Sequence, residues 1–158
     1  MKFITGSKLG ALRTLYKTNP ILALIKAGKE VLEKAKWTRD SEVKTGNYKV
    51  IEDQNVDHPL AGAFCAIGAV RRGQFELTGN ADRSANFNRA ITLLDSVAGD
   101  PNHYMNDIVE FNDSVAKSKI AVIKKFDEAI ATGGKVAKKK AAKKAVTKKA
   151  KVVLAPQM

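Results

Sequence analysis

The 158-residue sequence predicts a mainly α fold, a compact bundle of about four main helices with a small irregular or β-hairpin insertion and a disordered basic C-terminal tail. Three observations predict it. Apolar residues recur along four segments at the period of a helix that buries one stripe. Proline, glycine and Asn/Asp clusters separate those segments. The stretch Gly133 to Pro156, GGKVAKKKAAKKAVTKKAKVVLAP, holds nine lysines and neither an acidic nor an aromatic residue, so it lacks the apolar surface that a packed element needs.

Residues 1–19 read as a basic N-terminal arm or short amphipathic helix, because Leu9, Leu12, Leu15 and Tyr16 keep helical spacing until Asn19-Pro20 interrupts them. The first main helix carries Ile21, Leu24, Ile25, Gly28, Val31, Leu32 and Ala35 on one stripe, and Pro20 suits its first turn, where no N–H is required. Trp37 to Arg39 and Asn47 to Ile51 are β-type residues on either side of DSEVKTG, which predicts a small hairpin or an ordered loop. Asp57-His58-Pro59 marks a boundary, since a residue before proline is pushed out of the helical region. Leu60, Ala63, Phe64, Ile67 and Val70 then form the face of a second helix ending at Arg71-Arg72-Gly73.

The third helix presents Phe87, Ala90, Ile91, Leu94, Val97 and Ala98, and Gly99-Asp100-Pro101 stops it. A short segment from Met105 to Phe111 leads to Asn112-Asp113-Ser114, residue types that cap helices. The last helix carries Ala116, Ile120, Ile123, Phe126 and Ile130 until Gly133-Gly134 ends it as a stop and hinge. Residues 20–132 thus make one helical domain, and residues 133–158 a lysine-rich flexible tail.

Net charge sharpens that division. The chain carries +12, but residues 27–132 hold fourteen basic and sixteen acidic side chains, a net −2. Residues 1–26 contribute +5 and the tail +9. A neutral body with basic ends implies a polycationic arm rather than a basic groove built into the fold, and a polyanion as partner. A single cysteine excludes an intramolecular disulfide and points to a reducing compartment. No apolar run is long enough to span a bilayer, and no compact secretory h-region precedes the first helix. The acid-free first twenty residues keep an organelle transit segment open as an alternative.

Catalytic chemistry finds little support. A thiolate needs a neighbouring base, and Cys65 could find one in His58 or His103; yet FCAIGA surrounds Cys65 with apolar and small residues, the setting of a buried small hydrophobe. One cysteine and two scattered histidines offer no metal-ligand spacing. Gly133-Gly134 lacks the strand, spacing and Ser/Thr of a phosphate-binding loop. Glu52-Asp53 and Asp127-Glu128 are neighbours in sequence and read as solvated. The expectation is no catalytic residue, no metal and no cofactor. Gly68 and Ala69 permit a close approach to the backbone of their helix, with Trp37, Phe64 and Phe111 as the expected neighbours.

Three motifs bear a resemblance. Val31-Leu32-Glu33 with Trp37, then Cys65-Ala66-Ile67-Gly68-Ala69, then Phe111-Asn112-Asp113 followed by Phe126-Asp127-Glu128-Ala129-Ile130 resemble, in order and approximate distance, an uncharacterised family of small helical proteins of actinobacteria and their phages. The resemblance covers roughly residues 21–131, with Phe111 where that family has tryptophan. It implies a helical fold and no particular activity.

The functional residues are therefore expected in the tail: Lys135, Lys138, Lys139, Lys140, Lys143, Lys144, Lys148, Lys149 and Lys151. Lysine offers a mobile point charge suited to phosphates without the planar fork that reads guanine, so binding should be independent of sequence. Repulsion between lysines four residues apart opposes a helix in the free tail, and a polyanion removes it. The AKKA units resemble, in composition, the tails of linker histones and histone-like nucleoid proteins. Without aromatics, stacking on single strands is disfavoured, and duplex DNA is expected before RNA. The expected setting is the cytoplasm and the nucleoid, or a virion. In this reading the helical body supplies an interaction or dimer surface; the alternative is a phage-associated structural or host-interaction module whose helical body binds a protein partner.

Overall fold

The computed structural model describes residues 1–99 and 107–153, with 136–142 and 144–153 as backbone. Helix α1 (Gly6–Thr18) and helix α2 (Pro20–Lys34) meet at Asn19, whose side chain caps α2 by accepting a hydrogen bond from Leu22 N at 3.2 Å. Pro20 stands in the first turn of α2, as its fixed φ and missing donor favour. The α2 stripe from Leu24 to Ala35 is buried as the periodicity predicts, with Ile21 only partly covered, and α2 becomes the central helix packed against its neighbours.

The insertion after α2 is a three-stranded sheet. Strands β1 (Lys36–Trp37), β2 (Val43–Thr45) and β3 (Ala61–Phe64) lie in the order β1-β3-β2, with β1 parallel and β2 antiparallel to β3. A hairpin does form, but it is tighter than predicted: Lys44 bridges to Val50 and Tyr48 N donates to Thr45 O at 2.8 Å. Trp37 pairs in register with Phe64 on β3 instead.

β3 corrects the second predicted helix. Ala63 and Phe64 fit a short buried strand as well as a helical face, a choice that periodicity alone does not make, and Leu60 stands before the strand with its side chain exposed. Cys65, in extended backbone, turns the chain into helix α3 (Ala66–Thr78), which continues past Gly73 and stops at Gly79 with a left-handed φ of 77°. Gly73 lies so close to α2 that an added Cβ would meet Ala27 Cβ at 2.8 Å.

Helix α4 (Ala85–Ala98) starts at Ser84, whose hydroxyl accepts from Phe87 N at 3.0 Å, and buries Phe87, Ala90, Leu94 and Ala98. Gly99 follows as its cap; Asp100-Pro101, His103 and Met105 lie outside the described residues. Helix α5 (Ile108–Glu110) is one turn that runs into a π-helical turn, Phe111–Val115. Asn112-Asp113-Ser114 belong to that turn and do not cap the last helix. Its first turn is supported by Ser118, whose hydroxyl accepts from Ala121 N at 3.3 Å.

Helix α6 (Lys119–Val153) departs from the sequence expectation twice. Its buried stripe is Val122, Phe126 and Ala129, while Ile120 in the first turn is 67% exposed. It also passes through Gly133-Gly134 without stopping, because neither glycine takes the left-handed φ that closes a helix. Each interior glycine costs a helix only about 1 kcal/mol against alanine, and a helix already nucleated by packing and continued by alanine and lysine absorbs that cost.

The N-terminal arm is part of the core. Phe3 and Ile4 are buried, and the Phe3 ring meets Phe64 edge-on at 5.4 Å. The Glu76 carboxylate accepts from Phe3 N at 2.9 Å and Ile4 N at 2.6 Å, and Arg72 pairs with it at 3.0 Å.

Candidate functional site

The nine tail lysines lie on the backbone extension of α6, and of their side chains the structure describes Lys135 and Lys143, both exposed. The body reaches along α6 as far as Gly133. An added Cβ there would meet Leu93 of α4 at 3.3 Å and Leu22 of α2 at 3.6 Å, whereas one on Gly134 would meet nothing within 4 Å. The structure thus puts the lysine run on the element that leaves the packed body, at a defined point.

That point borders a groove of about 550 Å³ between the α1–α2 junction and α4. Pro20, Ile21, Leu22 and Leu93 give it an apolar floor, and Thr18, Asn19, Arg89, Thr92 and Ser96 complete the lining beside Gly133. No carboxylate lines it among the described residues. Sequence reasoning missed this groove, because its residues come from three separated segments and none belongs to a motif.

A second concavity, about 630 Å³, opens at the sheet end, where Lys49, Glu52, Asp53, His58 and Arg71 surround Thr45, Val50, Ile51, Asn55 and Leu60. Tyr48, Asp53 and Gln54 hold left-handed φ values of 61°, 58° and 50°. The strain is held in place by Gln54, whose side-chain oxygen accepts from Ser41 Oγ at 2.7 Å and Glu42 N at 2.8 Å. Val50 and Leu60 are 70% and 65% exposed on its rim. Charges of both signs line this pocket, so its electrostatics select no single ion.

The residues considered for catalysis are placed differently. Cys65 is buried, and burial pushes its thiol up to about 12; Sγ accepts from Gly68 N at 3.4 Å at the start of α3. His58 is half-buried and uses Nδ1 to accept from Leu60 N at 3.1 Å. No hydrogen bond joins the two. Glu52 and Asp53 are exposed, and Asp127 pairs with Lys29 at 2.7 Å. Among the described residues no His/Cys/Asp/Glu group could hold a metal ion, and no helix is long and apolar enough to cross a membrane.

The small residues of α3 also find an unexpected neighbour. A Cβ on Gly68 would lie 1.8 Å from Glu42 O, so the close approach is made by the backbone before β2, not by Trp37, Phe64 or Phe111. Asn112 is a buried tie: Oδ1 accepts from Trp37 Nε1 at 2.8 Å and Ala66 N at 3.1 Å, and Nδ2 donates to Thr38 O at 3.2 Å. Glu42 draws in Arg71 at 2.5 Å and Arg83. The buried Arg72–Glu76 pair had a sequence signal, opposite charges four residues apart on an apolar helix.

No curated protein and no solved structure matches the chain. Residues 17–132 match a family of unknown function, DUF6197. That stretch holds α2 to α5, the sheet and the packed part of α6, but not the lysine run, and on this match the chain belongs to that family.

Proposed function

We propose that this is a non-enzymatic accessory protein that binds nucleic acid, duplex DNA before RNA, without sequence preference through Lys135, Lys138, Lys139, Lys140, Lys143, Lys144, Lys148, Lys149 and Lys151. The observation that carries the reading is the separation of charge along the fold. The packed body, residues 1–133, carries nineteen basic and sixteen acidic side chains, a net +3, and ends its packing at Gly133; nine lysines and no acid follow on the emergent helix. Over residues 135–153 such a helix spans about 28 Å, roughly one lysine per 3 Å. Duplex DNA carries one charge per about 1.7 Å, so the tail could offset about half of the charge along its own length. Lys138, Lys139 and Lys140 are consecutive, so no helical register gathers all nine lysines on one side. That arrangement suits a polyanion better than a membrane surface, which takes a helix with one apolar face.

The reading places the protein in the cytoplasm on the nucleoid, in the actinobacterial or phage setting that its motifs suggest. Its test is binding to duplex DNA, single-stranded DNA and RNA across a salt series. Engagement of five to nine lysines gives a log–log slope of roughly −4.5 to −8 on duplex. A chain ending at Gly134, which keeps the contacts of Gly133, should lose most of that affinity; unchanged affinity refutes the reading.

A second reading has one observation in its favour. The exposed Val50 and Leu60 beside the strained loop, with Tyr48 also exposed in the hairpin turn, suit a body that docks a protein. It predicts a partner retained by the chain ending at Gly134.

A further inference from the structure

We propose that the groove at the root of the tail is a second contact for the same nucleic acid, seating a sugar–phosphate unit of duplex DNA with Arg89 and Asn19 as the phosphate donors. The inference rests on the tail reading and extends it onto the body. Three features converge. First, the groove adjoins the tail: Gly133 lines it, and exposed Lys135 follows two residues later, so a strand running along the tail arrives at its mouth. Second, its chemistry suits a phosphodiester. Among the described residues no carboxylate lines it, exposed Arg89 makes no hydrogen bond or ion pair, and Asn19 uses only Oδ1, in capping α2, which leaves Nδ2 to donate. The hydroxyls of Thr18, Thr92 and Ser96 donate to their own helix carbonyls, Leu15 O, Asn88 O and Leu93 O, and are acceptors toward a ligand. The side-chain donors available to an anion among the described lining residues are therefore Arg89 and Asn19. Third, the floor of Pro20, Ile21, Leu22 and Leu93 offers apolar surface to the sugar carbons, which a bare lysine helix does not.

The consequence is orientation. Lysines alone would hold the body at any angle to the duplex, whereas a seat at the tail root fixes which end of α2 faces it. The sheet and its pocket follow the other end of α2, a 15-residue helix of about 22 Å, and so face away from the DNA.

The experiment compares the full chain with Arg89→Ala, Asn19→Asp and Lys44→Ala on a duplex over a salt series. Asn19→Asp keeps the cap, since aspartate accepts from Leu22 N equally well, but replaces the donor with a negative charge. Lys44→Ala removes one charge at the sheet end and controls for net charge. The expected result is a several-fold loss of affinity for Arg89→Ala, with the salt slope about 0.9 shallower, as one phosphate contact fewer requires. Asn19→Asp should lose affinity at unchanged thermal stability, and Lys44→Ala should leave the slope unchanged. If cutting after Gly134 abolishes binding while Arg89→Ala behaves like Lys44→Ala, the tail reading stands and the groove proposal is overturned. If cutting after Gly134 changes nothing, the tail reading itself fails. Anionic phospholipid vesicles provide the last arm: an Arg89→Ala effect on vesicle binding but not on duplex would assign the groove to a lipid headgroup and overturn the proposal.

Discussion

Gly68→Ala tests the packing of α3 against the strand layer more sharply than any core truncation. The added methyl would lie 1.8 Å from Glu42 O and 2.7 Å from Glu42 C, both backbone atoms that no side-chain rotation can move aside. The loop before β2 has to retreat, and the hydrogen bond from Cys65 N to Glu42 O at 3.2 Å goes with it. Overpacking of this kind costs about 1–3 kcal/mol, and the lost hydrogen bond about 1 kcal/mol. Alanine returns about 1 kcal/mol through its higher helix propensity. The net expectation is a loss of about 1–3 kcal/mol, which in a domain of this size lowers Tm by roughly 3–10 °C. The assay is urea and thermal unfolding followed by the fluorescence of the single tryptophan, Trp37, which Asn112 ties to the same layer. A Gly68→Ala chain as stable as the parent, with the same Trp37 emission, would refute the contact.

Glu76→Gln leaves Arg72 buried without its counter-charge and weakens the acceptor of Phe3 N and Ile4 N; about 3 kcal/mol of stability should be lost, and limited proteolysis should release the N-terminal arm first. The Cys65 thiol should react with a thiol reagent at pH 8 only when the chain is unfolded. Because folding raises that thiol from its ordinary 9.0 to about 12, the unfolded chain loses its proton first, and stability measured by urea midpoint should fall as pH rises above about 9. Gly134→Ala meets nothing within 4 Å and should strengthen α6 by about 1 kcal/mol, read as added helical circular dichroism. Duplex DNA should raise that same signal in the full chain and not in the chain ending at Gly134, by removing repulsion between the lysines; an unchanged signal would remove the coupling of tail helicity to binding.

The legible part of the fold was the part set by helical period. The stripes of α2 and α4 are buried nearly as their spacing dictates, because each has one wide apolar face, with punctuation before α2 at Asn19-Pro20 and at both ends of α4. The strand β3 was hidden because four residues, Ala61 to Phe64, are too few for a period to declare itself, and Ala66 onward is a true helix that lends them its pattern. The π-helical turn was hidden because Asn112 carries the residue type of a cap. Its role as a tie among Trp37, Thr38 and Ala66 depends on segments 46 and more residues away. The shift in the α6 stripe follows from its start at Lys119: with the helix phased by Val122, Phe126 and Ala129, Ile120 turns outward.

The candidate site divides the same way. Its charge was legible because lysine count and acid-free composition need no tertiary information, whereas the groove exists only where the α1–α2 junction, α4 and Gly133 meet. Reading Gly133-Gly134 as a hinge would have detached the tail from the body. A helix continuous through both glycines instead gives the lysines a fixed root, with Gly133 packed between Leu22 and Leu93. The family match sharpens the point: residues 18–22 and 89–96 of the groove lie within residues 17–132, while Gly133 and every tail lysine lie beyond. The surface that meets the tail is therefore family structure, and the lysine run is joined to it at one residue. Under the proposed nucleic-acid reading the tail would supply affinity and the body geometry, so an Arg89 variant should alter how the body sits on the duplex even where nine lysines still hold it there.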